Sequence, residues 1–450
     1  MEPISTTSLV FLFLTSLLVL VVSSSSSLKL KSRARRPPGP WGLPLVGSIH
    51  HLLLTTQLQA AFRDLAQKHG PVAVLELLSA RKVRQFAPIR DGETMSLVWE
   101  IRATAAAGKP AARLSYTNSI TGLATFGYRC DRERREQFMS AMSLVLKSSL
   151  GFCVSDLFPS LWFLDVVTGI VSRLRRLSKQ LDDVLDEIIA EREGRRKEKT
   201  VKNSNGEEHD REDDLLSVML RIRDDGEFEF SFDNTNIKAI IVDLFTAGTD
   251  TTSSTAEWVM SELMRNPGAM AKAQAEVRHV FANTNPCDHE SCLDQLHYTR
   301  MAIKEALRLH PPLPLLLPRI CRETCDVGGF EVPKGTRVIV NSFAIARNRK
   351  YWDDPEEFRP ERFEKSAIDY SGTQFEYMPF GSGRRMCPGM NFGLVALDLI
   401  VARLLCYFNW DLSAGMRPED LNMDTTIGAT ARRITQLQVV ATPYEGTLAT

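Results

Sequence analysis

The sequence predicts a mainly α-helical fold with a small β region. Apolar residues recur at helical spacing through most of the chain. Residues 328–341 alternate as strands do and predict a hairpin around Pro333-Lys-Gly335, with Arg337 to Asn341 as its second strand. Of the 450 residues, 44% are apolar and 24% are charged, a balance that supports a large core and argues against global disorder. No internal repeat is visible, so we expect residues 43–450 to form one main body.

The totals exclude some classes of function. Lys plus Arg and Asp plus Glu both number 55, so no excess of charge indicates binding to nucleic acid. The eight cysteines include no CxxC pair. The two that lie closest in sequence, Cys321 and Cys325, have no zinc-ligand spacing around them. These cysteines suit a reducing, cytosol-facing compartment better than a disulfide framework.

A membrane anchor is expected in residues 1–28. Ile4 to Val22 is mostly apolar and is close to the length that spans a bilayer. Basic residues follow this run and none precedes it, which favours a single-pass anchor with a cytosolic body. A cleaved signal peptide is the alternative, because the serines after Val22 could serve as a cleavage site. Residues 29–42 are basic and proline-rich and indicate a hinge that cannot be helical.

Helical patterns dominate the next part of the chain. Gln59 to Lys68 predicts a short amphipathic helix, and helical periodicity continues from Val83 to Ile189. One face of the last helix in that stretch would carry Leu174, Leu177, Leu181, Val184, Leu185 and Ile188. Glu191 to Asp214 mixes both signs of charge without apolar spacing, so we expect an exposed flexible loop there.

Ile237 to Arg265 is the longest helical pattern, and Asn266 and Pro267 are expected to end it and to begin the next helix. Inside it lies Ala247-Gly-Thr-Asp-Thr-Thr252, a cluster of poor helix formers. One interpretation is a packing notch, in which Gly248 admits a neighbour and the threonines bond back to main-chain carbonyls. The other interpretation is a functional groove.

Tyr298 to His310 predicts another helix, which Pro311 ends. Glu305 and Arg308 lie three residues apart, and therefore on one face of it. Taken alone, such a pair predicts a surface ion pair worth less than about 1 kcal/mol.

Cys387 lies directly before a further apolar helical pattern. The apolar positions of that pattern are Leu397, Ile400, Val401, Leu404, Leu405 and Phe408. A thiol before a helix faces unpaired N–H groups and the positive end of the helix dipole, which lower its pKa and favour the metal-binding thiolate. The glycines around it permit a flat ligand to approach closely. For a cysteine on its own, a buried structural role is the alternative.

The arrangement Phe380-x-x-Gly383-x-Arg385-x-Cys387-x-Gly389 resembles the haem-binding loop of the cytochrome P-450 superfamily. The resemblance implies that the Cys387 thiolate is the proximal ligand of haem (heme) iron. It also implies that Arg385 pairs with a haem propionate and that Phe380 packs near the sulfur.

Residues 247–252 resemble the oxygen-binding groove of the same family, on the distal face of the haem. By that resemblance Gly248 would make room for O2, Thr251 would hydrogen-bond the bound oxygen, and Asp250 would help to bring in protons. Oxygen activation needs two protons, which a hydroxyl beside a carboxylate is suited to relay.

Glu305 and Arg308 resemble the family's Glu-x-x-Arg, which would join Arg362 of Phe358-Arg-Pro-Glu-Arg-Phe363 in a buried ionic triad. This triad would be structural, because it would hold the segment that presents the cysteine loop. Arg319, by its position, would be a second propionate contact; a solvated arginine is the alternative.

The chain departs from the family pattern near residues 72–76. Plant members of the family would have about fifty more residues between Gly70-Pro-Val72 and Glu76, including the first strands and a Trp-x-x-x-Arg pair that contacts the propionates. No Trp-x-x-x-Arg occurs in this sequence, since Trp99 is followed by Arg102, one position short.

The resemblance implies a monooxygenase of the plant microsomal type, similar to grass diterpenoid oxidases. It would take electrons from NADPH–cytochrome P-450 reductase at the endoplasmic reticulum membrane and insert one oxygen atom from O2 into a small hydrophobic substrate, a terpenoid or another specialised metabolite. The gap motivates an alternative hypothesis, a shortened membrane-anchored member without monooxygenase activity, because losing strands exposes sheet edges and apolar surface.

Overall fold

The structure is a computed structural model, and it describes residues 78–107, 117–127, 132–149, 163–202, 214–225, 232–426 and 430–447. These residues are mainly helical with small antiparallel sheets, as the sequence predicts. The anchor in 1–28, the hinge in 29–42, the helix Gln59–Lys68 and the gap near 72–76 lie outside the described residues and stay predictions.

The helices and strands follow one another along the chain. The α-helices are α1 (Ala80–Gln85), α2 (Ala87–Ala106), α3 (Thr117–Phe126), α4 (Arg132–Ser149), α5 (Phe163–Val167), α6 (Ile170–Lys202), α7 (Leu215–Asp225), α8 (Asn234–Arg265), α9 (Pro267–Phe281), α10 (His297–Leu309), α11 (Ser342–Ile345) and α12 (Met390–Tyr407). The strands are β1 (Arg319–Ile320), β2 (Cys325–Val327), β3 (Phe330–Val332), β4 (Arg337–Val338), β5 (Phe408–Leu412) and β6 (Val439–Pro443). Residues 318–339 belong to a smaller compact unit, and the other described residues belong to a larger one.

The core of the larger unit is built around α8 and α12, which pack against each other. Val259 and Leu263 on α8 and Val401 and Leu405 on α12 are fully buried there. Each such side chain contributes about 1.5–3 kcal/mol through burial of apolar surface. Helix α8 and the helix after Cys387 therefore support each other directly.

Among the described helices, α12 is long and apolar enough to cross a membrane. Its most apolar window is 67% buried inside the protein, and its side chains are buried without interruption from Ala396 to Tyr407. A helix that is apolar on all sides and enclosed by protein belongs to the core. We therefore assign α12 to the core of the larger unit.

Helix α6 corrects one prediction. The predicted apolar face is present, since Leu177, Leu181, Leu185 and Ile188 are buried. The loop expected from residue 191 is wrong as far as residue 202, because α6 continues to Lys202. Ion pairs stabilise this part in place of apolar spacing. They join Glu191 to Arg195, Arg223 to Glu193, and the buried Arg192 to Asp214.

Helix α8 begins three residues earlier than predicted because Asp233 caps it. The Asp233 carboxylate accepts a hydrogen bond from the N–H of Asn236 at 3.1 Å. At the other end Asn266 and Pro267 occupy the predicted positions between α8 and α9. The Asn266 side chain does not cap α9, however; it donates back to the carbonyl of Glu262 at 2.8 Å.

The smaller unit contains two antiparallel pairs, β1 with β4 and β2 with β3. The predicted hairpin around Pro333-Lys-Gly335 is wrong in its pairing. The tight turn is instead Gly328-Gly329, with φ of 62° and 82°, because a two-residue hairpin turn of this kind needs positive φ at both positions. The turn at Pro333–Gly335 leads from β3 to β4, which pairs with β1.

In the larger unit β5 begins where α12 ends and pairs with β6, so that Phe408 lies opposite Pro443 and Leu412 lies opposite Val439. Phe408 thus belongs to a strand and not to the apolar helical pattern in which the sequence placed it. Its side chain is buried against Trp410.

Candidate functional site

The loop that carries Cys387 is fastened by its main chain. The N–H of Cys387 donates to the carbonyl of Phe380 at 3.0 Å, and this bond closes the loop. The hydroxyl of Ser382 donates to the carbonyl of Gly372 at 2.6 Å and ties the loop to the preceding segment. The Phe380 ring is half-buried and lies edge-on to Tyr370, with centroids 5.5 Å apart.

Glycines give this loop its close packing and its open outer side. A Cβ built on Gly372, whose φ is +70°, would lie 2.8 Å from the carbonyl oxygen of Gly381, so no other residue fits there. Beside Gly381 and Gly383 a built Cβ would meet no atom within 4 Å. The loop therefore leaves the space that a flat ligand would need.

The pKa of the Cys387 thiol is raised from its ordinary value. Desolvation by the surrounding protein atoms is the larger cause, and the N–H of Gly389, which hydrogen-bonds the thiol, lowers the pKa by less. The predicted contact with a backbone N–H before α12 is present. The predicted net lowering of the pKa is wrong, because desolvation outweighs that single hydrogen bond. The side chain is nonetheless exposed, so a ligand can reach its sulfur.

These residues fit an iron ligand site. A metal deprotonates a coordinating thiol outright, so the raised pKa does not prevent Cys387 from binding iron. Open space lies beside Gly381 and Gly383, and Arg385 is exposed in the short 3-10 helix Gly383–Arg385 of the same loop. The donor, the space and the cation that a haem group would use are therefore all found in this loop.

The Ala247–Thr252 cluster on α8 shows the features of a packing notch. The Thr251 hydroxyl donates to the carbonyl of Ala247 at 2.6 Å. A Cβ built on Gly248 would lie 3.4 Å from Oγ1 of Thr121 on α3. The same segment lies next to the helix of the cysteine loop, since a Cβ built on Gly393, in the first turn of α12, would be 3.6 Å from Oγ1 of Thr252.

Asp250 forms an ion pair that sequence reasoning missed. Its carboxylate accepts a hydrogen bond from Arg432 in the C-terminal segment. The neighbouring Ala431 fixes that segment on α8, because its carbonyl accepts from the Ser254 hydroxyl and the Trp258 ring N–H, both at 2.9 Å. The only signal in the sequence was a pair of adjacent arginines far along the chain, which carries no information about a partner.

Glu305, Arg308 and Arg362 come together as a buried triad. Arg308 donates to both carboxylate oxygens of Glu305, at 2.8 and 2.9 Å, and Arg362 donates to one of them at 2.8 Å. Glu305 and Arg308 are fully buried, so they are not a surface ion pair. Arg308 is also hydrogen-bonded to the main-chain carbonyls of Ala346, Pro355 and Glu357.

The helix of the triad also holds the segment before the cysteine loop. The Tyr377 hydroxyl donates to the carbonyl of Lys304 on α10 at 3.0 Å. Tyr377 lies three residues before Phe380. It is fully buried and packs with Trp352 and Phe363. The interactions of α10 thus reach the start of the loop through one buried tyrosine.

Arg319 is the second propionate contact that the resemblance implies, whereas Trp99 and Arg102 miss the Trp-x-x-x-Arg spacing by one position. Arg319 is exposed on β1 of the smaller unit, where it lies opposite Val338, and its role stays a prediction. Trp99 is 52% exposed on α2, and the Arg102 guanidinium lies 5.6 Å from the centre of its ring. That pair forms an exposed cation–π contact on a helix surface.

Asp243, which the sequence did not single out, lies on α8 one turn before Ala247. Burial raises its pKa from 3.8 to about 7. Because its pKa is higher in the folded state, the native protein holds this proton across the window from about pH 4 to pH 7, in which the unfolded chain has lost it. The contribution of Asp243 to stability therefore falls as the pH rises through that window.

Replacing Asp243 with asparagine should flatten this dependence. Between pH 5 and pH 8 the free energy of unfolding should fall by about 3 kcal/mol more in the wild type than in Asp243→Asn. Urea unfolding at both pH values measures the difference. Asp233→Asn, at the exposed N-cap of the same helix, is the control and should follow the wild type. Parallel behaviour of wild type and Asp243→Asn would contradict the assignment.

The sequence resembles those of known proteins over most of its length. A family model described as "Cytochrome P450" matches residues 74–438. "Cytochrome P450 99A2" of Oryza sativa subsp. japonica is 49% identical, over 92% of this chain and 89% of its own length. "9-beta-pimara-7,15-diene oxidase" of the same organism is 48% identical, over 92% and 93%. "Premnaspirodiene oxygenase" of Hyoscyamus muticus is 38% identical, over 97% and 98%.

The alignment with the first of these relatives spans 488 positions, more than the 450 residues of this chain. That relative therefore has residues for which this chain has no counterpart. The family match covers most of the chain, including Cys387, the triad and the cluster on α8. The chain therefore belongs to the cytochrome P450 family and is an oxidoreductase whose cofactor is haem, bound through a cysteine thiolate.

Proposed function

We propose that this protein is a monooxygenase that inserts one oxygen atom from O2 into a terpenoid or a similar specialised metabolite of a plant. The observation that carries the proposal is the accessible Cys387 in a loop open to a flat ligand, within a chain 48% identical to a protein named as a diene oxidase. A second relative is named as an oxygenase of another diene. A small apolar hydrocarbon is therefore the substrate class we propose.

Cys387 would hold the iron, and Arg385 would pair with a propionate. When bound, haem supplies the activation of O2 that the protein's own side chains cannot perform. Gly248 would leave room for O2 beside α8. The Thr251 hydroxyl has a single proton, and in the structure that proton is donated to Ala247. Thr251 would therefore have to release that carbonyl before its hydroxyl could donate a proton elsewhere.

Asp250 would deliver protons to Thr251, and Arg432 would set the orientation of the Asp250 side chain. One oxygen of the carboxylate is paired with Arg432 in the structure, so release from Arg432 would favour the uptake and transfer of a proton. The Arg432 side chain is partly exposed, which gives it a solvated alternative position. A turn of the Asp250 side chain towards Thr251, with Arg432 moving to solvent, would complete the relay.

We further propose that NADPH–cytochrome P450 reductase supplies the electrons at the endoplasmic reticulum membrane. The N-terminal run from Ile4 to Val22 would anchor the protein there, with its catalytic body in the cytosol. Such an anchor would hold the protein at the surface where a membrane-bound reductase and an apolar substrate are both concentrated.

The carbon monoxide difference spectrum of the reduced protein, expressed in microsomes, tests the proposal. A red-shifted Soret band, which a thiolate ligand produces, is expected. Turnover of diterpene olefins with the reductase and NADPH should then follow. Absence of a band, or a band only at the blue-shifted position of a neutral thiol or histidine ligand, would contradict the proposed activity.

The absence of a Trp-x-x-x-Arg pair and an alignment longer than the chain favour a second candidate, a shortened member without monooxygenase activity. Inserting the corresponding residues of a relative between Val72 and Glu76 separates the two. A rise in haem occupancy and turnover from almost nothing would support the second candidate. Equal occupancy and turnover before and after insertion would exclude it.

A further inference from the structure

Two thiols meet in the smaller unit. Cys321 follows β1 and Cys325 begins β2, and their Sγ atoms are 3.5 Å apart. A disulfide bond is about 2.05 Å long, so the two sulfurs need to approach by only about 1.5 Å to be joined. Two free thiols at this distance are close enough to react with each other.

The main chain holds both cysteines in place. The N–H of Cys321 donates to the carbonyl of Thr336 at 2.9 Å, and the Cys321 carbonyl accepts from Gly335 at 2.8 Å. Cys325 lies opposite Val332 in the β2–β3 pair. The two sulfurs therefore meet because separate strand pairings fix their backbones, and the turn 322–324 between them need not refold.

Both thiols are accessible to a reagent in solution. Cys325 is exposed, Cys321 is half-exposed, and residues 322–324 between them are exposed. The pKa of the Cys325 thiol is raised, chiefly by its hydrogen bond with Cys321. The Cys321 thiol also donates to the carbonyl of Glu323, at 2.8 Å. Either thiol can begin an exchange reaction once it is deprotonated, because both are accessible.

We propose that Cys321 and Cys325 are a redox-active pair that closes reversibly into a disulfide on reaction with a low-molecular-weight disulfide such as oxidised glutathione. One of the two cysteines, as its thiolate, attacks one sulfur of the small disulfide, whose S–S bond breaks, and the first small thiolate leaves and takes up a proton. The other cysteine then loses its proton to solvent and attacks the sulfur of the first. The mixed disulfide breaks, and a second small thiol leaves.

In this sequence two protein thiols are oxidised to one disulfide, and one small disulfide is reduced to two thiols. The new bond would join the end of β1 to the start of β2 and stiffen the exposed turn 322–324. It lies two residues from Arg319, so oxidation would also restrict the strand that carries this arginine. The inference uses only the smaller unit and does not depend on the proposed function.

Peptide mapping of the full-length protein in its membrane tests the pair. The protein is equilibrated with mixtures of reduced and oxidised glutathione, alkylated, denatured and digested with trypsin. Trypsin cleaves after Arg322, between the two cysteines, so the disulfide joins the peptides 320–322 and 323–334. We expect this joined mass, and we expect dithiothreitol to remove it.

Cys287 and Cys292 form the control pair inside the same chain. They are also close in sequence, but the Cys292 sulfur contacts the hydroxyls of Thr284 and Ser291. We choose the glutathione mixture that oxidises half of the 321–325 pair. In that mixture the ratio of oxidised to reduced 287–292 pair should be about tenfold lower, which corresponds to a difference of about 30 mV between the reduction potentials of the two pairs.

A Cys325→Ser variant provides an independent readout. The second exchange step is then impossible, so Cys321 should stop at the mixed disulfide and carry one glutathione, with no joined peptide. In the wild type, alkylation of both cysteines at every glutathione ratio would overturn the proposal. Separate glutathione adducts on Cys321 and Cys325 without a joined peptide would overturn it equally.

Discussion

The Cys387→Ser variant is expected to lose the red-shifted Soret band of the reduced carbon monoxide complex completely. A serine hydroxyl does not ionise near neutral pH and is a far weaker iron ligand than a thiolate, so the electronic signature of sulfur ligation disappears. The carbon monoxide difference spectrum measures this directly. The change should leave the loop itself in place, because its shape depends on the bond from the Cys387 N–H to Phe380 and on Gly372.

Two controls separate loss of the ligand from loss of the fold. Cys287→Ser changes an exposed cysteine and should leave the spectrum unchanged. The free energy of unfolding of Cys387→Ser should remain within about 1 kcal/mol of the wild-type apoprotein, because the side chain is accessible to solvent. An unaltered Soret band in Cys387→Ser would refute its assignment as the iron ligand.

The Glu305→Ala variant is expected to lose about 3–5 kcal/mol of stability, because removing one partner leaves a buried charge uncompensated. Glu305 is hydrogen-bonded to both Arg308 and Arg362, and Arg308 is fully buried. Its loss also removes the acceptor for the main-chain N–H of Arg359, at 3.0 Å. The urea midpoint of the purified protein measures the change, and Glu305→Gln, which keeps an acceptor, should lose less.

Glu361→Ala is the matched control for this prediction. Glu361 pairs with Lys272 at 2.7 Å, but the two side chains are 40% and 61% exposed. An exposed ion pair contributes less than about 1 kcal/mol, so the urea midpoint should move little. If both alanine variants lost the same free energy, the burial of the triad would not be what stabilises it.

The long elements of this fold could be predicted from the sequence because apolar spacing determines them. Helices α8 and α10 begin and end within a few residues of their predicted bounds, and α12 follows Cys387 as predicted. The end of α6 could not be predicted in this way, since ion pairs between charged residues replace the apolar pattern there. The β2–β3 hairpin was misplaced because two turns, Gly328-Gly329 and Pro333–Gly335, competed, and local sequence does not say which strands pair across them.

At the candidate site, sequence motifs indicated which residues matter but not what surrounds them. The spacing of Glu305 and Arg308 is compatible with a surface pair, and only the fold shows that both are buried. The partner of Asp250 is Arg432, and no local sequence pattern indicates this pairing. The pKa of Cys387 was predicted in the wrong direction because its sign depends on desolvation, which is a property of the folded surroundings.

The main-chain fastening of the cysteine loop bears on how this sequence can diverge during evolution. Arg384 and Pro388 are exposed, and the hydrogen bond that closes the loop does not use their side chains, so substitutions there need not move the sulfur. Gly372 does not tolerate substitution, because a Cβ there would lie 2.8 Å from the Gly381 carbonyl oxygen. A sequence pattern confined to Phe380–Gly389 therefore omits a residue on which the shape of this loop depends.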